Sequence, residues 1–107
     1  MVRQFSIFSV ALDPTVGSEI TKSRPCVVVS PDEMNQGLAT VIIAPMTSTR
    51  RQYASRVDIE FQGKLGQVAL DQLLTVDKRR LTRQLGEVTD ISAAQIAKTL
   101  TQMFTLA

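Results

Sequence analysis

The sequence predicts a mainly β (α+β) domain: a small SH3-like antiparallel barrel with short helical turns and a C-terminal helix. Three observations predict it. The apolar runs are short and rich in β-branched residues. The connections between them are mostly too short for the crossovers that parallel strands need. Only one stretch, near the C-terminus, repeats apolar residues at helical spacing. The 107 residues fit one domain over positions 1–107.

The elements follow in order. Phe5 to Leu12 is mostly alternating and predicts a strand with one wet face. Asp13-Pro14 starts a turn, and Gly17-Ser18 extends a polar loop to about Ser23. Pro25 to Val29 is continuous and β-branched, as in a buried strand. Ser30-Pro31-Asp32-Glu33 reads as a helix start, with Ser30 as cap and Pro31 in the first turn. Ala39 to Ala44 predicts a second buried strand, stopped by Pro45. Arg50-Arg51-Gln52-Tyr53 is an exposed connection. Arg56 to Phe61 alternates cleanly and predicts an edge-type antiparallel strand, with a turn at Gln62-Gly63-Lys64. Gln67 to Leu73 predicts a further strand. Val76 to Leu81 predicts one helical turn capped by Asp77. Arg83 to Val88 reads as a strand. Asp90 is expected to cap a helix from Ile91 to Phe104, with Ile91, Ala94, Ala97, Leu100 and Phe104 on its apolar face.

Composition excludes much chemistry. There is no histidine, which removes most metal-site chemistry and the histidine-dependent nucleophile pairs. The one cysteine, Cys26, excludes an internal disulfide and a cysteine zinc cluster. It is expected to be inert core. Net charge is +2, from twelve basic against ten acidic residues. That excess is too small to mark a nucleic-acid binder by bulk charge, so a polyanion site must come from local clustering. No run reaches the ~20 apolar residues of a membrane span. The N-terminal residues lack a secretion-signal pattern, so a soluble cytoplasmic protein is expected.

Without histidine, phosphate chemistry falls to arginine, whose guanidinium is a bidentate donor. Arg24 stands before Pro25 at the mouth of a buried strand. A residue before proline is pushed to extended geometry, which fixes its exit direction. Arg24 is thus either an anion ligand on a rigid base or an ordinary surface arginine. Thr47 and Ser48 follow the second buried strand, where hydroxyls either cap a turn or donate to a phosphate oxygen. Asp71, with Gln72, ends an apolar run and is either a paired structural carboxylate or a site residue. Glu19 is a loop acid or a general base. Arg50-Arg51 and Lys78-Arg79-Arg80 with Arg83 are the basic clusters. They are solvated faces, or an electrostatic track if the fold brings them near Arg24. Tyr53 is a loop aromatic or a base-stacking platform.

Four motifs in order carry a family resemblance. They are Asp13-Pro14-Thr15-Val16-Gly17-Ser18-Glu19, then Arg24-Pro25-Cys26-Val27-Val28-Val29, then Ile43-Ala44-Pro45-Met46-Thr47-Ser48, and finally Val68-Ala69-Leu70-Asp71-Gln72 with Thr75-Val76-Asp77-Lys78-Arg79-Arg80-Leu81. Together they resemble the MazF/PemK-type toxins over nearly the whole chain. The resemblance implies the CcdB/PemK-type barrel, a homodimer and the toxin role in a type II toxin–antitoxin pair with a MazE-like antitoxin. It implies sequence-specific endoribonuclease action on single-stranded RNA, without metal or other cofactor, leaving 2′,3′-cyclic phosphate and 5′-hydroxyl ends. It puts catalysis on Arg24 and Thr47, with Glu19 and Asp71 as acidic positions. It puts RNA contacts on Ser18, Ser48, Thr49, Arg50, Arg51, Gln72 and Arg79. Arg24 would stabilise charge on phosphorus, and the proton acceptor stays open between Glu19 and Asp71.

Two departures stand out. Gln4-Phe5-Ser6-Ile7-Phe8-Ser9 replaces the family's R-G-[DE]-[IV]-W start, and Leu74 replaces its frequent Arg or Lys. The alternatives are a CcdB-like gyrase poison on the same fold and an inactive antitoxin-binding remnant. The tryptophan by which CcdB touches gyrase has no counterpart, because the chain has none.

Overall fold

The computed structural model describes residues 1–12 and 23–106. The predicted loop at Asp13–Lys22, with Ser18 and Glu19, lies outside the described residues. Seven strands, β1 Ser6–Ala11, β2 Ser23–Val28, β3 Thr40–Thr47, β4 Arg56–Phe61, β5 Lys64–Ala69, β6 Leu74–Asp77 and β7 Leu81–Glu87, form one antiparallel sheet. Two α-helices join them, α1 Asp32–Gly37 and α2 Asp90–Met103. The strand order is β4-β5-β3-β2-β1-β7, with β6 also paired to β3. The sheet curls until its end strands approach each other. A Cβ placed on Gly86 of β7 would lie 3.8 Å from the Phe61 ring of β4.

Short β-branched runs make this sheet because each strand is covered on its inner face. Two apolar clusters fill the curl. One gathers Ile7, Val27, Ala44, Val68, Leu70 and Ile96 beneath α2. The other gathers Val10, Cys26, Val28, Val41, Ile43 and Val76. Successive residues of β2, Val27 and Val28, serve different clusters, as the two-residue period of a strand requires.

Several local expectations change. Strand β3 runs through Pro45 to Thr47 rather than stopping before the proline. Proline has no N–H for a ladder. It stands between the β3 residues that pair with β6, Thr40–Ile43, and those that pair with β5, Met46 and Thr47. The expected strand over Gln67–Leu73 is instead β5 up to Ala69, followed by a 3₁₀ turn over Leu70–Gln72. Asp77 caps a 3₁₀ turn over Lys78–Arg80 as expected, accepting the Arg79 N–H.

Ser30 does not cap α1; Pro31 takes that position. Ser30 is buried, and its hydroxyl lies 2.5 Å from the Asn35 side-chain oxygen. The Ile42 N–H donates to Ser30 Oγ, and Asn35 donates to the carbonyls of Ser30 and Val2. This buried polar knot ties α1 and the N-terminal segment to β3.

Helix α2 is capped by Thr89, which accepts the Ser92 N–H, and not by Asp90. Its buried face is also displaced from the expected one. Ile96 is completely buried, whereas Ile91 and Phe104 are 75% and 73% exposed. Ile91, Ala94, Ala97 and Phe104 do not form the packed stripe. Ile96 with Leu100 does, against the sheet. Small residues at helical spacing carry too little area to fix which stripe docks. Ile96→Ala should therefore lower the unfolding free energy by about 2–5 kcal/mol. Ala97→Ser should change it by no more than about 0.5 kcal/mol. Urea denaturation of the two variants checks this.

Candidate functional site

The pairing of β2 with β3 sets the site. Val28 faces Ile43, Val27 faces Ala44 and Cys26 faces Pro45. Continuing that register outward along both strands brings Arg24 opposite Thr47. Both side chains line one cleft of about 520 Å³ between these strand ends and the β4–β5 hairpin. Ser48 and Thr49 line it too, as do Met46, Ile59 and Phe61 on an apolar wall. Sites for small ligands commonly occupy roughly 300–1,000 Å³.

The Thr47 hydroxyl has a defined role in this geometry. Its Oγ1 accepts the Thr49 N–H at 3.1 Å. That bond occupies an oxygen lone pair and leaves the hydroxyl proton to be donated elsewhere. Turn capping and donation to an anion are thus compatible at Thr47. Behind it, β5 approaches β3 closely. A Cβ on Gly66 would lie 2.7 Å from the Thr47 carbonyl oxygen. Only glycine lets the two backbones come this near, so Gly66 fixes where Thr47 and Ser48 stand.

The cleft is electropositive. Arg24 and Lys64 are the titratable side chains among its described lining residues. Neither makes an ion pair or a side-chain hydrogen bond with any described residue. Cys26, next along β2, is fully buried, and burial pushes its thiol up to about 12. It stays protonated and unreactive.

The other candidates lie elsewhere. Asp71 does not line the cleft. Arg56 donates to its carboxylate at 2.7 and 3.3 Å, and the Ser55 hydroxyl donates at 2.9 Å. The Arg56 side chain is only 7% exposed and that of Asp71 33%. The Arg56 hydrogen bond holds the Asp71 carboxyl below the usual carboxylate range. That arrangement makes a strut between β4 and the 3₁₀ turn, and a poor proton acceptor. Gln72 is exposed beside it on the same turn. Arg79 pairs with Asp77 at 3.0 Å, away from the cleft.

Arg50 and Arg51 line a second cleft of about 540 Å³ with Tyr53, Arg56, Asp58 and Gln67. Arg50 pairs with Asp58 at 3.1 Å. Buried Gln67 clamps the loop: its Oε1 accepts the Arg51 N–H at 2.9 Å, and its Nε2 donates to the Arg51 carbonyl at 3.0 Å. Tyr53 lies with its ring centroid 5.2 Å from the Arg56 guanidinium. Since Thr49 and Arg50 are adjacent, one anchored loop borders both clefts.

Ser23, Lys64 and Gly66 of the cleft are not marked as site residues by the sequence. Ser23 and Lys64 carry no spacing signal, since each reads as an ordinary loop or turn residue. Gly66 had one: a glycine inside a strand pattern often marks a close backbone approach.

The comparisons agree with this architecture. A family model described as PemK-like, MazF-like toxin of type II toxin–antitoxin system matches residues 3–104. The chain is similar to the solved Mycobacterium tuberculosis toxin MazF-mt6, at 24% identity, with 95% of this chain and 98% of that one covered and a TM-score of 0.78. It is similar to a chain of a MazE–MazF crystal structure from Deinococcus radiodurans, at 23% identity, 99% and 97% coverage and a TM-score of 0.82. It is also similar to a mycobacterial endoribonuclease solved with its cognate antitoxin, at 23% identity, full coverage of both chains and a TM-score of 0.81.

The strut yields a pH prediction. Folded Asp71 has a depressed pKa, so the pair stabilises the fold above the ordinary carboxylate range and loses that contribution as pH falls through the folded pKa. Asp71→Asn should lower the melting temperature by several degrees at about pH 7. The gap to wild type should narrow as the pH falls through the lowered folded pKa of Asp71. Thermal unfolding followed by circular dichroism across that range checks it.

Proposed function

We propose that this chain, which belongs to the PemK-like, MazF-like toxins of type II toxin–antitoxin systems, is an endoribonuclease that cuts single-stranded RNA at the Arg24–Thr47 cleft. The observation that carries the reading is the convergence of a bidentate cation and a hydroxyl donor in one cleft. In the proposed reaction the ribose 2′-oxygen attacks the adjacent phosphorus. The bond from phosphorus to the 5′-oxygen breaks, leaving a 2′,3′-cyclic phosphate and a 5′-hydroxyl. Negative charge builds on the non-bridging oxygens as the phosphorane forms. The Arg24 guanidinium meets that charge with two N–H donors, and Thr47 donates its hydroxyl proton. Strand pairing fixes the backbones from which both side chains start.

The 2′-hydroxyl proton needs an acceptor. The described titratable groups of the cleft are both cations, and Asp71 is committed to Arg56. We therefore assign the acceptor to Glu19, on the segment before β2, with Ser18 beside it as an RNA contact. The 5′-oxygen leaves with a proton drawn from solvent, and Glu19 returns its own to solvent. Ser48 and Thr49 contact the RNA at the cleft, and Arg51 extends the positive track along the loop with Arg50. Gln72 and Arg79 stand apart from this track and act only if the strand continues past the second cleft.

The natural regulator in this reading is a MazE-like antitoxin, in keeping with the MazE–MazF assemblies to which the fold is similar. Exposed Ile91 on α2 and Phe104 just after it suit a homodimer contact. The compartment is the cytoplasm, where mRNA is the substrate.

The test is cleavage of single-stranded RNA in EDTA, with sequencing of the new RNA ends. Wild type should cut with 5′-hydroxyl products. Arg24→Ala and Thr47→Ala should each lower kcat by roughly 10²–10³-fold. Equal activity in wild type and Arg24→Ala would overturn the site. Gyrase-dependent DNA breaks without RNA products would indicate a gyrase poison, and no effect of expression on growth would indicate an inactive remnant.

A further inference from the structure

The far wall of the cleft is the β4–β5 hairpin, which the proposed reaction does not use. Its tip is tight: Phe61 pairs with Lys64, leaving Gln62 and Gly63 as the turn. Both turn residues are left-handed, with φ of 53° and 76°. That is the primed turn geometry matched to strand twist, and it makes a stiff tip. Lys64 is the first residue after the turn, so its stem starts from paired backbone. Lys64 lines the cleft together with Arg24. Leu65 beside it is 65% exposed and lines the same cleft, giving an apolar ledge next to the cation.

The cleft, at about 520 Å³, is larger than one phosphate needs. A lone, strongly hydrated ammonium is a point charge suited to grip a phosphate that does not react. We infer that Lys64 binds a non-scissile phosphate next to the one held by Arg24 and Thr47, with Leu65 against that nucleotide's base. The inference rests on the endoribonuclease reading and deepens it. Lys64 would be a substrate-binding residue that sets affinity and register, with no part in bond breaking.

A phosphate contact on single-stranded nucleic acid contributes about 0.7 to the slope of log affinity against log salt. The probe is an RNA oligonucleotide carrying the site mapped for wild type, blocked by a 2′-methoxy group at the cut. Binding is read by fluorescence anisotropy over a salt series, and cleavage kinetics use the unblocked form. Lys64→Ala should reduce the salt slope by about 0.7 and weaken binding about fivefold at ~0.1 M salt. KM should rise in step, with kcat within about twofold of wild type. Lys64→Arg should restore the slope. If wild type cuts RNA while Lys64→Ala keeps the wild-type slope and KM, the inference is overturned and the endoribonuclease reading stands. A fall in kcat alone also overturns it. If wild type neither binds nor cuts, both fail together.

Discussion

The pairing of β2 with β3 is the constraint on which the geometry of the Arg24–Thr47 cleft depends. It places Arg24 and Thr47, well separated in sequence, at the ends of facing strands. Neither side chain is held by an ion pair among the described residues. Their convergence is a property of the backbone ladder and of what supports it. The ladder's own rungs Val27, Val28, Ile43 and Ala44 are all fully buried. Behind it, Gly66 lets β5 come close to the Thr47 carbonyl. A packed core therefore fixes the site's geometry, and the site itself stays open and cationic.

The charges divide by role. Asp71 is paired with Arg56, Asp58 with Arg50 and Gln67, and Asp77 with Arg79. Each acid is held below the ordinary carboxylate range by its donors. Arg24 and Lys64, in contrast, face the same space without a described carboxylate between them. Local allocation of this kind explains how a chain of net charge +2 can present a cationic cleft. Overall charge would not have indicated it.

Much of this was legible in the sequence, in proportion to how local each signal was. The Arg24-Pro25 step and the Thr47-Ser48 strand end announced themselves through proline geometry and β-branched runs. Alternation in Arg56–Phe61 matched β4 at both ends. Contacts distant in sequence were harder. Asp71 could be read as a paired or a functional acid, and only the approach of Arg56 decides for the strut. Pro45 looked like a strand end because its compensation, the change of partner from β6 to β5, is a tertiary event. On α2, small residues at helical spacing suggested one face, and the bulk of Ile96 selected another. Lys64 left no mark at all, because a lysine after a glycine turn looks like any solvated charge.

Arg24 and Thr47 are proposed to act together on one phosphoryl group, which a double-mutant cycle would reveal. Single-turnover cleavage of one RNA would be compared for wild type, Arg24→Ala, Thr47→Ala and the double variant. The account predicts marked non-additivity, with the double variant little slower than the worse single. Losses that simply multiply would show two independent groups and contradict it.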